Sequence, residues 1–312
     1  MAAIVAVIVL GWLLARRGLL GGPTGARVLG DAAFIVFVPA LLFRTTAQID
    51  LAHLPWQVLL AFFAPVLGLM VVAYAALRLR GANDPAMPAA RAITLGFGNT
   101  VQLGIPIAAA LFGQAGLSLH VAIVSLHAVL LLSLTTALVE IDLAHADARA
   151  AGQRAPLSRV MAATVRRTVI HPVVLPVLAG LAWNLAGLPL FAPLDGLLAL
   201  LGQAVVPLCL LLIGLSLQQY GLQGALGASA ALSAGKLLVL PAMVWALGRW
   251  VLHLEPLPLQ VAVMCAALPV GSNALLFAQR YRSGEAEATA AIVLSTLAFA
   301  ATAPLWLWLL RG

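Results

Sequence analysis

Charge is what this sequence has least of. Asp, Glu, Lys and Arg make up 9% of its 312 residues, while 63% are apolar and the mean hydropathy is +1.08. Soluble domains carry about 25% charged residues, so a water-soluble globule is excluded. Cysteine is nearly absent. Cys209 and Cys265 both lie inside apolar runs, where they read as small buried hydrophobes and not as a disulfide or a metal centre. Catalytic signatures are missing as well: there is no H-E-x-x-H, no pair of aspartates and no G-x-S-x-G, which leaves an intramembrane enzyme without its residues. No cofactor or metal is expected. Asp31, Glu140 and Asp142 sit at the edges of apolar runs, and no carboxylate falls in the middle of one, which argues against a simple buried-acid proton or sodium site. The net charge of +7 does not indicate a nucleic-acid partner, because the basic residues form short clusters between apolar runs and orient helices there.

What remains is apolar sequence, cut by charges, Gly/Pro clusters and turn signals into ten segments near 1–19, 28–47, 54–78, 89–113, 117–139, 167–187, 194–217, 230–251, 257–279 and 286–310. A membrane-crossing helix takes about 20 apolar residues, so the expectation is an all-α polytopic membrane protein with a single domain over 1–312. The first run is followed, not preceded, by Arg16 and Arg17, the reverse of a cleavable signal peptide. Thirteen arginines fall after odd-numbered segments or in the 140–166 connection, against Arg44, Arg249 and Arg311 on the opposite side. By the positive-inside rule the 140–166 linker is cytoplasmic, both termini are outside and the protein lies in the inner (plasma) membrane.

The chain also repeats itself. Gly11-Trp12-Leu13 matches Gly180-Leu181-Ala182, Val38-Pro39-Ala40-Leu41-Leu42 matches Val206-Pro207-Leu208-Cys209-Leu210, and Ala122-Ile123-Val124-Ser125-Leu126 matches Ala291-Ile292-Val293-Leu294-Ser295, at an offset of 168 or 169 residues each time. Two five-helix repeats follow, 1–139 and 167–312. Because five is odd, the second is inverted relative to the first.

Polar and helix-breaking residues inside hydrocarbon mark a cavity or a binding site. Segment four carries Gly96-Phe97-Gly98-Asn99-Thr100-Val101-Gln102-Leu103-Gly104-Ile105-Pro106, and segment nine carries Pro269-Val270-Gly271-Ser272-Asn273. Pro106 and Pro269 with the adjacent glycines predict breaks in both helices, and the N-terminal end of each half-helix can then hold an anion. Asn99, Thr100, Gln102, Ser272 and Asn273 are the candidate substrate ligands; uncharged, they would keep the empty site neutral. Pro39, Pro65, Pro207 and Pro241 read as packing kinks. His127 and Lys236 are candidates for coupling, although a lone His is ordinarily held by a packing hydrogen bond, and Lys236, near the cytoplasmic start of its segment, is expected to snorkel to the interface, the alternative being a cation that faces the anion path.

Taken in order, Gly11-Trp12-Leu13-Leu14 with Arg16-Arg17, Val38 through Phe43, Asn99 through Pro106 with Leu111-Phe112-Gly113, Gly214-Leu215-Ser216-Leu217, Lys236-Leu237-Leu238 with Pro241, and Ala267-Leu268-Pro269 with Ala278 and Tyr281 resemble the auxin efflux carrier family over essentially the whole length. The resemblance implies ten helices, a scaffold and a transport part, crossed helices four and nine at the site, and alternating-access transport of small organic anions, in bacterial relatives carboxylates such as malonate or malate. It also implies kinship with bile-acid/sodium symporters. Two features depart from the family: Leu268-Pro269-Val270 lacks the second proline of many relatives, and the long central loop of plant members is absent. An ion-coupled symporter-like carrier and an anion channel are the alternative readings, and a homodimer is left open.

Overall fold

A computed structural model of the chain describes residues 2–20, 22–49, 54–81, 84–150, 170, 172–220 and 226–310; the side chains of Gln102 and Pro106 are outside the described set. The fold is all-helical. In chain order the helices are α1 (Ala2–Arg16), α2 (Gly22–Ala32, continuing through Ala33–Phe37 and Val38–Ala47), α3 (Trp56–Leu79), α4a (Met87–Gly96) and α4b, which opens with Thr100–Gly104 and runs to Gly113. There the helical stretch Ile105–Ala150 kinks, with Gly113 at φ 61°, and its remainder, 114–150, is α5. The second half comprises α6 (Val174–Leu185), α7 (Ala192–Tyr220), α8 (Leu226–Ala234, Gly235–Val239, Leu240–Ala246 and Leu247–Val251), α9a (Pro256–Ala267), α9b (Asn273–Tyr281) and α10 (Glu285–Leu309).

Six of the helical runs are long and apolar enough to cross a membrane: Thr24–Ala47, Trp56–Leu79, Ile107–Ala146, Ala192–Gln219, Leu226–Val251 and Glu285–Leu309. The protein is therefore a multi-pass membrane protein. α4 and α9 fall short of that length because each is broken into two halves, and α1 and α6 are simply short apolar helices.

Prolines account for much of the local shape. The π-helical turns at Ala33–Phe37, Thr100–Gly104 and Gly235–Val239 each end two residues before a proline, at Pro39, Pro106 and Pro241. A proline ring clashes with the carbonyl four residues earlier and offers no N–H to it, and a wider turn just upstream relieves the clash without ending the helix. Pro65 and Pro207 are carried inside α3 and α7.

The helices pack as two groups. α1 lies along α7, and α2 packs on α6 and α7; in the other group α3 packs on α4a, α8 and α9a, while α8 and α9a both pack on α10. Glycines make the first group tight. A Cβ on Gly11 would run into the backbone of Leu211, and one on Gly214 into the backbone of Ile8 and Trp12, so α1 and α7 touch main chain to main chain. Close approach through small residues is how apolar helices gain contact where no water is expelled. Gly180 of α6 meets Phe43 of α2 in the same way, at 2.6 Å from a Cβ to the carbonyl oxygen. Gly180 stands 169 residues after Gly11 and Phe43 stands 168 before Leu211, so one contact repeats the other with the halves exchanged.

Ion pairs form at the two ends of the molecule. Near one end Arg44 of α2 makes a two-point pair with Asp195 of α7 (2.7 and 3.1 Å), and Gln48 donates to the same carboxylate at 2.7 Å. At the other end stand Arg78–Asp142 (2.6 Å), Arg91–Glu287 (2.7 Å at both oxygens), Arg280–Asp31 (4.0 Å) and the Tyr281 hydroxyl donating to Glu140 (3.1 Å). Asp31 and Arg44 lie thirteen positions apart on α2, about 20 Å along a helix. Arg44 stands at one end, and Arg78, Arg91 and Arg280 at the other. One boundary differs from the sequence reading: the linker expected from 140 is still helix to Ala150, with Asp142 buried against Arg78, and residues 151–169 lie outside the described set.

Candidate functional site

The two broken helices cross at their breaks. α4 leaves the helical conformation at Phe97–Asn99 and α9 at Leu268–Ser272, and the two extended pieces pair antiparallel through Gly98 and Val270. Asn99 N donates to Pro269 O at 2.8 Å and Gly271 N to Phe97 O at 2.9 Å. Glycine is required here for space: a Cβ on Gly271 would stand 2.6 Å from Gly98 O.

Each break frees backbone groups in an apolar interior, where leaving one unpaired costs about 1–3 kcal/mol. Side chains of neighbouring helices take them up. Gly98 N donates to His127 Nε2 of α5 over 3.4 Å, and Val270 N to Ser295 Oγ of α10 at 3.0 Å. His127 and Ser295 stand 168 residues apart, within the repeat offset read from the sequence. The Thr100 carbonyl meets His120 Nε2 at 2.8 Å, and the Ala266 carbonyl, at the end of α9a, accepts from Lys236 Nζ at 2.5 Å.

α4b and α9b both begin at the crossover, so two helix N-termini, each with partial positive charge, start there. The residues at those starts, Asn99 and Ser272, make no side-chain capping bond. A cavity of about 120 Å³ adjoins them, lined on the crossover side by Asn99, Thr100, Ser272 and Asn273 together with His127. Leu41, Leu42 and Thr45 of α2 and Val205 and Val206 of α7 form the opposite wall, so the cavity lies between the two helix groups. One water takes about 10–15 Å³ by this measure, which gives room for several waters or a ligand of a few heavy atoms. Among the described residues no carboxylate lines it.

Asn99, Thr100, Ser272, Asn273 and His127 are thus brought together. Pro269 is at the crossover through its carbonyl. The backbone at Pro106 is not in the break, which lies seven residues earlier; its position follows the π-helical turn Thr100–Gly104. The side chains of Gln102 and Pro106 lie outside the described residues. Asn273 Oδ1 is 4.0 Å from the Cys209 sulfur of α7, a contact between the two groups.

Lys236 departs from expectation. Its side chain is 1% exposed and turned onto the crossover, so it does not snorkel. The C-terminal end of α9a carries partial negative charge, and Lys236 Nζ donates to Ala266 O there, so a basic side chain stands beside the crossover without lining the cavity. His120 was missed altogether. It stands seven positions before His127, two turns along one helix, and that spacing of two polar residues in an apolar segment is the signal that could have found it.

A protein from Methanothermobacter thermautotrophicus named "Uncharacterized transporter" is 26% identical over 307 residues, covering 97% of this chain and 95% of its own. A Rhizobium meliloti protein named "Putative malonate transporter" is 28% identical over 165 residues, 53% of this chain and 52% of its own. These relatives indicate a transporter rather than an enzyme. The family described as membrane transport protein matches residues 1–307, and the chain accordingly belongs to this family of auxin-efflux-carrier-like membrane transporters.

Proposed function

We propose that the protein is a secondary active transporter that moves small organic anions, carboxylates of malonate size, by alternating access at the α4/α9 crossover. The observation that carries this reading is the cavity itself. Two half-helix N-termini and the side chains of Asn99, Thr100, Ser272 and Asn273 converge on a space between two helix groups. Donors of this kind suit a carboxylate. Gln102 is proposed as a further ligand, with Pro106 and Pro269 shaping the breaks, and His127 and Lys236 as the groups open to a coupling role. The name of the Rhizobium meliloti relative supports malonate as the first anion to test.

In this reading the chain crosses the inner membrane ten times as two inverted five-helix repeats, with the termini outside and the 140–166 linker cytoplasmic. The exchanged Gly11 and Gly180 contacts and the matched roles of His127 and Ser295 support the repeat. The group α1, α2, α6 and α7 is the scaffold, against which α3, α4, α5, α8, α9 and α10 move. A sodium-coupled symporter-like carrier is less well supported, since its ion would meet no carboxylate among the described residues of the cavity.

Purified protein should gain thermal stability with the logarithm of malonate concentration. In proteoliposomes, malonate loaded on one side should drive saturable counterflow of labelled malonate. Flux that rises without saturation and shows no counterflow would identify a channel, and no stabilisation by malonate would remove the assignment.

A further inference from the structure

Lys236 is the most unusual side chain in the described interior. It is the chain's lone lysine, the remaining sixteen basic residues being arginines. Its side chain is 1% exposed, yet among the described ion pairs no carboxylate is its partner. Nζ donates to Ala266 O at 2.5 Å. It also lies against the backbone of Gly98, since a Cβ there would stand 3.3 Å from it. Gly98 in turn lines the cavity. Its titratable neighbours are the Cys265 thiol on α9a and His127 on α5, and neither is a carboxylate.

A buried cation without an anionic partner is costly, and the half-helix terminus supplies only a fraction of a charge. We propose that Lys236 is the fixed counter-charge of the anion site: its ammonium acts on the bound carboxylate from behind the crossover, across the Gly98 backbone, and sets the preference for an anion over an uncharged analogue. Contact is not needed, because attraction between charges falls only as the inverse of their distance, and the Gly98 backbone that separates them is low-dielectric protein. Lys236 belongs to α8, which packs on α9a and α10, so the charge stays with the crossover and with whatever is bound there. In this arrangement the amides and hydroxyls of the cavity orient the substrate, and the lysine selects its charge. A residue that merely caps α9a would favour charged and uncharged ligands alike.

The inference rests on the anion-site reading, and the experiment separates the two. Affinities for malonate and for malonamide, its uncharged diamide, are measured by calorimetry on the parent and on K236Q, K236M and K236R in nanodiscs. K236Q and K236M should lose about ten- to a hundredfold in malonate affinity while malonamide binding stays unchanged, and K236R should keep the preference for malonate. Reading the two neutral variants side by side guards against a folding defect in either. An unchanged malonate-to-malonamide ratio in a folded K236Q or K236M overturns the proposal, as does an equal fall for both ligands. A parent that binds the two ligands equally overturns the anion site itself.

Discussion

At the scale of single residues, the site is built from side chains that the helices have not spent on themselves. Asn99 and Ser272 occupy helix starts, where such residues ordinarily cap the backbone, yet their side chains are not used so and border the cavity. In the proposed site, replacing Asn99 or Asn273 by Ala should remove a partner of the anion, worth about 1.5–3 kcal/mol, or on the order of ten- to a hundredfold in malonate affinity. Aspartate at either position sets negative charge beside the anion and should bind malonate more weakly than Ala does. Calorimetry on folded variants checks both; aspartate variants that bind as tightly as the parent would make the crossover only a structural kink. The sequence showed the residue types that gather here because amides beside Gly and Pro are conspicuous in apolar segments. It did not show Lys236 or His120 in place, since each is drawn in by a carbonyl of another helix, Ala266 or Thr100, and such pairings are set by tertiary packing.

Elements follow from where the helical ladder can and cannot continue. Both breaks were legible: Gly96, Gly98 and Gly104 weaken α4, and Pro269 with Gly271 does the same for α9. Their positions were less so. Pro106 suggested a break near itself, but the chain absorbs that proline in a π-helical turn and breaks earlier, at Phe97–Asn99, where Gly271 can approach and exchange backbone hydrogen bonds. Which strand a break will pair with depends on the partner helix, and local sequence does not contain it. The end of α5 is a second case: charged residues from Glu140 onward read as linker, yet the helix persists to Ala150 with Asp142 held by Arg78 of α3. The crossing of α4 and α9 makes a specific demand at Gly271. An added methyl would press on Gly98 O, so Gly271→Ala should force the two chains apart and destabilise the protein by about 1–3 kcal/mol, read as a lowered melting temperature, with weaker malonate binding. Gly11→Leu separates stability from binding. It wedges α1 from α7 at Leu211 and Gly214, which do not line the cavity, and should lower the melting temperature while leaving malonate affinity unchanged in the folded protein.

For the whole molecule, the arrangement is two helix groups with the crossover in one and a mostly apolar wall in the other. Among the described residues few polar contacts tie the groups together across the cavity, and in the proposed motion an apolar wall of Leu41, Leu42, Val205 and Val206 would let the surfaces slide without stripping hydrogen bonds. The arginine distribution predicts the orientation: reporters fused after Arg154 should read as cytoplasmic and those at Gly312 as external, and a cytoplasmic C-terminus would remove the inverted repeat along with the count of ten. The most direct measurement concerns the motion. Asp31 of α2 and Arg280 of α9b approach to 4.0 Å across the two groups, clear of the cavity. With both replaced by cysteine and joined by a reducible bis-methanethiosulfonate cross-linker that spans the side-chain length removed, malonate binding should persist while counterflow in proteoliposomes stops, and cleavage of the linker by reductant should restore it. Undiminished counterflow in a protein verified as fully bridged would contradict alternating access between these groups.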